Sequence, residues 1–104
     1  MFENADISGS FRRPRFLLGH VHLSPAAVDA LDLARMSPDE LLERHQFGCW
    51  GEVSPEVMRN NERSCNESSD DIFSVYVLKT GDTIWITTDD QRTYTAVVSA
   101  SERH

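Results

Sequence analysis

Cysteine is scarce in this chain, Cys49 and Cys65 being the only two. That is too few for the disulfide framework on which small secreted domains depend, so a reducing compartment is expected. Long hydrophobic runs are missing as well, and no stretch approaches the roughly 20 apolar residues that a membrane-spanning helix needs. Met1 to Ser10 is polar and acidic, which predicts neither a signal peptide nor a membrane anchor and makes the cytoplasm the expected location. Basic residues are in deficit, 10 Lys and Arg against 17 Asp and Glu. Non-specific nucleic-acid affinity comes mostly from cations that neutralise phosphate, so that class of partner is disfavoured and a basic partner is favoured. Glycine-rich phosphate loops, a Ser-His-Asp order and Cys-x-x-Cys or Cys-x-x-His spacings are all absent.

The charge that is present is unevenly placed. Residues 1 to 35 hold four acids and four arginines, so the whole net charge of −7 falls in residues 36 to 104. A length of 104 residues with 39% hydrophobic content allows one modest core. The expected organisation is a mobile N-terminal arm over residues 1–15, a single domain over 16–98 and a C-terminal tail over 99–104.

The strongest pattern lies in the last third. Phe73 to Leu78 and Thr83 to Thr88 are rich in β-branched and aromatic residues, and Thr80-Gly81 suits a two-residue turn. That turn pairs Val77 with Ile84, Val75 with Ile86 and Phe73 with Thr88, giving an apolar core face. The opposite threonine face then carries Ser74, Tyr76, Leu78, Thr83, Trp85 and Thr87, with Tyr76 opposite Trp85 as a cross-strand aromatic pair. For the third strand an odd loop is preferred, because it turns Tyr94, Ala96 and Val98 toward the core. An even loop would turn Thr93, Thr95 and Val97 there instead.

Phe16 to Leu23 reads as a fourth strand, in which Gly19 allows a close backbone approach and His20 and His22 share a face. Three helix starts follow. Ser24-Pro25, Ser37-Pro38 and Ser54-Pro55 each pair a serine N-cap with a proline at the first helical position. The helices are expected over Pro25 to Arg35, Pro38 to Phe47 and Pro55 to Ser64, with Cys65 to Asp71 as an acidic loop. The fold class is therefore α+β, a three- or four-stranded antiparallel meander with three short helices packed on one face.

Between the second and third helices lies Arg44-His45-Gln46-Phe47-Gly48-Cys49-Trp50-Gly51. Together with Ser74 to Lys79 and Trp85 to Arg92, this junction resembles a family of small bacterial plasmid-related proteins carried on plasmids and integrative elements. The family pattern is Arg-His-x-x-Gly-Asp-Trp-Gly, a Ser-x-Tyr-x-Leu strand, then Trp-Ile-x-Thr and Glu-x-x-Arg. This chain departs from it at Cys49, where the family has an acid, and at Asp89, where it has Glu. The resemblance implies a fold and a mobile-element setting.

Enzymatic readings are weak on the residues themselves. His45 and Cys49 stand four apart, but a thiol beyond a helix C-terminus lacks the positive environment that makes a nucleophile. His20, His22, His45, Cys49 and Cys65 could supply zinc only by converging from separate segments. Asp89 and Asp90 suit a solvated turn, with Arg92 pairing one of them. No catalytic residue, metal or cofactor is therefore assigned. The expected function is that of a non-enzymatic acidic binding protein acting on a host macromolecule, such as a counter-defence or anti-restriction accessory. Its expected contact residues are Tyr76, Trp85, Thr83, Thr87, Asp89 and Asp90. Coverage of the threonine face by the N-terminal segment, or by a second copy of the chain to give a homodimer, is the competing use of that face. Two alternatives remain, a DNA-binding regulator working through Arg12, Arg13 and Arg15, and a small metal-dependent enzyme.

Overall fold

The structure is a computed structural model, and residues 13–102 are described. The chain runs β1 (His20–Leu23), α1 (Pro25–Leu33), α2 (Pro38–Gln46), α3 (Pro55–Glu67), β2 (Ile72–Val77), β3 (Thr83–Thr88) and β4 (Tyr94–Ser99), then a short 3-10 turn over Ala100–Glu102. Its class is α+β, with three helices and one four-stranded sheet in the order β1-β4-β3-β2. The sheet is mixed where a meander was expected. β2, β3 and β4 are antiparallel, but β1 adds to β4 in parallel.

All three helices start where the Ser-Pro pairs place them. Ser24 Oγ accepts from the Ala27 N–H at 3.1 Å, Ser37 Oγ from Asp39 at 3.2 Å and Ser54 Oγ from Val57 at 3.1 Å. Each such cap contributes about 1 kcal/mol. α3 runs to Glu67 and takes Cys65 out of the predicted loop. It closes at Ser68, whose N–H donates to the Ser64 carbonyl at 2.7 Å.

The first hairpin differs from expectation by one residue, and the difference exchanges the faces. The Leu78 N–H donates to the Asp82 carbonyl, and the Gly81 N–H donates to the Leu78 carbonyl. Three residues therefore form the loop, with Gly81 at φ +95° in the left-handed position that such a loop requires. Val77 consequently pairs with Thr83 and Val75 with Trp85. A one-residue slip turns every side chain to the other side of the sheet. Ile72, Ser74, Tyr76 and Leu78 are the buried set of β2, while Phe73 and Val75 are half-buried and Val77 is exposed.

The second hairpin takes the even loop, correcting the preference for Tyr94, Ala96 and Val98 as core residues. Thr88 pairs with Thr95 and Ile86 with Val97, so Thr95, Val97 and Ser99 are buried. The Asp89 side chain sets this turn: its Oδ1 accepts from the N–H groups of Thr93 (2.7 Å) and Tyr94 (3.0 Å), and its Oδ2 accepts from the Thr93 hydroxyl (2.5 Å).

One core joins Ala27, Ala30 and Leu31 of α1, its C-cap residue Ala34, and Leu41 and Leu42 of α2 to Tyr76, Leu78, Ile84, Ile86 and Val97. A smaller one joins Phe16, Trp50 and Ile72, with Cys65 of α3 packed against it. The helices thus cover one face of the sheet. On the other, no described helix packs.

The outer edge of β2 is closed by two devices. Asn61 of α3 acts as a substitute peptide group, its Nδ2 donating to the Phe73 carbonyl at 2.8 Å and its Oδ1 accepting from the Phe73 N–H at 3.1 Å. The junction closes the next rung, since the Val75 N–H donates to the Trp50 carbonyl and the Glu52 N–H to the Val75 carbonyl. Gly51 allows this approach. A Cβ there would stand 2.0 Å from the Val75 carbonyl oxygen.

Candidate functional site

The helix-free face is built by alternation along three strands. Thr83, Trp85 and Thr87 of β3 project from it, flanked by Phe73 and Val75 of β2 and by Tyr94, Ala96 and Val98 of β4. Phe73 meets Trp85 edge to face, with ring centroids 5.5 Å apart and planes at 81°. The parallel register also puts His20 beside Tyr94 and His22 beside Ala96, so both histidines lie on this side and are exposed.

At its β2 end the face meets a groove of about 430 Å³ between α3 and the second hairpin turn. Its lining includes Val57, Phe73 and three acids, Asp70, Asp71 and Asp90. Asp71 Oδ1 accepts from the Asp90 N–H at 3.0 Å, which fixes the two loops together. Arg92 reinforces them, with its Nη1 donating to the Asp89 carbonyl at 2.9 Å and its Nη2 to the Ser64 carbonyl at 2.7 Å. Arg92 thus binds backbone oxygen rather than a neighbouring carboxylate. Its own backbone, at φ +58°, is strained, and these bonds help hold it.

The expected contact residues divide. Thr83, Trp85 and Thr87 share the helix-free face, and Asp90 lies in the adjoining groove. Tyr76 does not belong with them. It is 4% exposed in the core, where its hydroxyl donates to the Cys49 carbonyl at 2.6 Å and burial pushes its pKa up to about 12. Asp89 is spent on its own turn, and the Thr93 hydroxyl, first among those bonds, holds its carboxyl below the usual range. The expectation missed Phe73, because the two-residue turn placed it in the core.

Of the arginine arm, Arg12 lies outside the described residues and Arg13 is exposed. Arg15 is held by Glu62 through two bonds of 2.9 and 2.7 Å and lies over the Trp50 ring.

The proposed catalytic groups are separated or sealed. His45 is fully buried and bonded at both ring nitrogens, Nδ1 to Ser74 Oγ at 2.6 Å and Nε2 to Thr88 Oγ1 at 3.0 Å. Thr88 Oγ1 lies 2.7 Å from Thr95 Oγ1, which donates to the Leu18 carbonyl at 2.7 Å. That carbonyl can only accept, so the direction of the whole chain follows. Thr95 gives its proton to Leu18, Thr88 gives its own to Thr95, and Thr88 must accept from Nε2–H. Ser74 then donates to Nδ1, and the imidazole is neutral. Burial first, and the Arg92 charge second, lower the His45 pKa from 6.5 to about 3. A Ser-His contact sealed from solvent, with an imidazole so reluctant to accept a proton, is a structural network and gives no nucleophile at neutral pH.

Cys49 is exposed and lies outside that network, while burial pushes the Cys65 thiol up. Among the described residues, no three His, Cys, Asp or Glu side chains are grouped to hold a metal ion. Nor is any described helix long and apolar enough to cross a membrane. No protein-family model matches the chain, no curated protein matches it, and no solved structure matches it.

Proposed function

We propose that this protein is a non-enzymatic binding protein whose contact surface is the helix-free face around Phe73 and Trp85 together with the acidic groove beside it. The observation that carries this reading is their adjacency, with Phe73 both packing on Trp85 and lining the groove that contains Asp70, Asp71 and Asp90. An aromatic centre bordered by groups of one charge suits a partner that combines an apolar anchor with Lys or Arg. That partner is a basic protein segment. The resemblance to plasmid-related proteins would make it a host protein, and counter-defence the setting.

The reading is tested by titrating a synthetic amphipathic Lys/Leu peptide into isotope-labelled protein and following amide shifts. The expected shifts map to Phe73, Trp85, Asp70 and Asp90, fall as salt rises, and vanish in Trp85→Ser and in the double variant Asp70→Asn, Asp90→Asn. Shifts confined to other surfaces, or unchanged in those variants, would overturn it.

A further inference from the structure

The two outer edges of the sheet are treated differently. β2 has its Phe73 and Val75 rungs taken by Asn61 and by the Trp50–Glu52 junction. β1, the opposite edge, has no such cover among the described residues. The N–H groups of His20 and Ser24 donate inward to the Thr93 and Val97 carbonyls, each at 3.0 Å. In a parallel pair alternate residues turn both backbone groups to the same neighbour, so Val21 and Leu23 direct theirs outward. Among the described residues nothing accepts from them or donates to them. Val21 of this strand is apolar and 39% exposed. Natural sheets usually protect an edge with charge, proline or a covering element, and this one carries none of these within the strand.

We propose that β1 is a self-association edge, on which two copies of the chain pair antiparallel with Val21 of one opposite Leu23 of the other. The register follows from the outward rungs. Antiparallel partners exchange bonds between residues that face each other, and one alignment uses both Val21 and Leu23 in both copies, forming four backbone hydrogen bonds. The two-fold axis then passes beside His22. The His22 side chains of the two copies stand opposite each other on the helix-free side, as a non-hydrogen-bonded pair with Cα atoms about 4.5 Å apart.

Charge favours a second copy over another occupant. β1 itself, His20–Leu23, contains no Asp, Glu, Lys or Arg, so two such strands paired with each other set no like charges of those residues face to face. The inference is independent of the peptide-binding reading, since it uses the edge and leaves Trp85 and the acidic groove free of the contact.

The test is light scattering after size exclusion on the full chain. Wild type is expected at twice the chain mass. Val21→Pro, which removes an outward donor at a position where an edge strand tolerates proline, should give one chain mass with unchanged circular dichroism. His22→Glu sets two carboxylates against each other and should do the same with the backbone untouched. An equimolar mixture of His22→Glu and His22→Lys should return to twice the chain mass, a rescue that misfolding cannot produce. Trp85→Ser should leave the mass doubled. A wild type of one chain mass at its highest soluble concentration, a doubled mass unaffected by His22→Glu, or a mass halved by Trp85→Ser would each overturn the proposal.

Discussion

Thr87 and Thr88 are neighbours in β3, yet they belong to two different kinds of surface. Thr88 is fully buried on the helix side and joins His45 to Thr95, within a chain of hydrogen bonds that starts at Ser74 and ends at the Leu18 carbonyl. Thr87 is half-buried on the helix-free side, among Phe73, Trp85 and Ala96. The difference teaches that polar residues here do opposite work according to strand parity. On the closed face they fix one arrangement of the core, because an unpaired hydroxyl there is costly. On the helix-free face Thr83 and Thr87 stay half-buried and keep part of their surface in solvent.

The comparison breaks most severely at His45. His45→Leu leaves Ser74 without its acceptor and Thr88 without its donor, and should cost about 3 kcal/mol in urea unfolding at neutral pH. Acid should attack the same place. The folded His45 pKa of about 3 lies below the ordinary 6.5, so in that window the unfolded chain binds a proton that the fold refuses. Stability should therefore fall as pH falls through the window, by up to about 1.4 kcal/mol per pH unit. His45→Leu should show a flatter dependence between neutrality and about pH 5, above the range in which carboxylates titrate.

Smaller effects sharpen the contrast between the two threonines. Thr88→Val strands the His45 Nε2–H and should cost about 2 kcal/mol, whereas Thr87→Val should stay within about 0.5 kcal/mol of wild type by the same measurement. Equal costs at the two positions would mean that the helix-free face is as closed as the other.

Much of the fold was legible because its signals are local. Each Ser-Pro pair marks a helix start by its own chemistry, and the β-branched runs of β2 and β3 mark strands. Strand parity was not legible. Ile72, Ser74, Tyr76 and Leu78 compete with Phe73, Val75 and Val77 on nearly equal hydrophobicity, and Thr80-Gly81 serves a two-residue or a three-residue loop equally well. That one ambiguity sent Tyr76 to the wrong face and kept Phe73 out of the candidate site, while Thr83, Trp85 and Thr87 stayed together because they alternate along a single strand. α3 hid its role for another reason. It secures β2 through Asn61 and the loop before β2 through Ser64, buried polar groups that an apolar stripe cannot reveal.

The pairing of β1 with β4 also sets an order of events during synthesis. The first strand of the sheet has the last strand as its neighbour, so His20–Leu23 must wait until Tyr94–Ser99 has left the ribosome before it can dock. A contact so distant along the chain closes a long loop and slows folding relative to the local hairpins. Those hairpins can form as soon as β2, β3 and β4 emerge. β1 is therefore expected to be the piece added last, to a sheet that is already present.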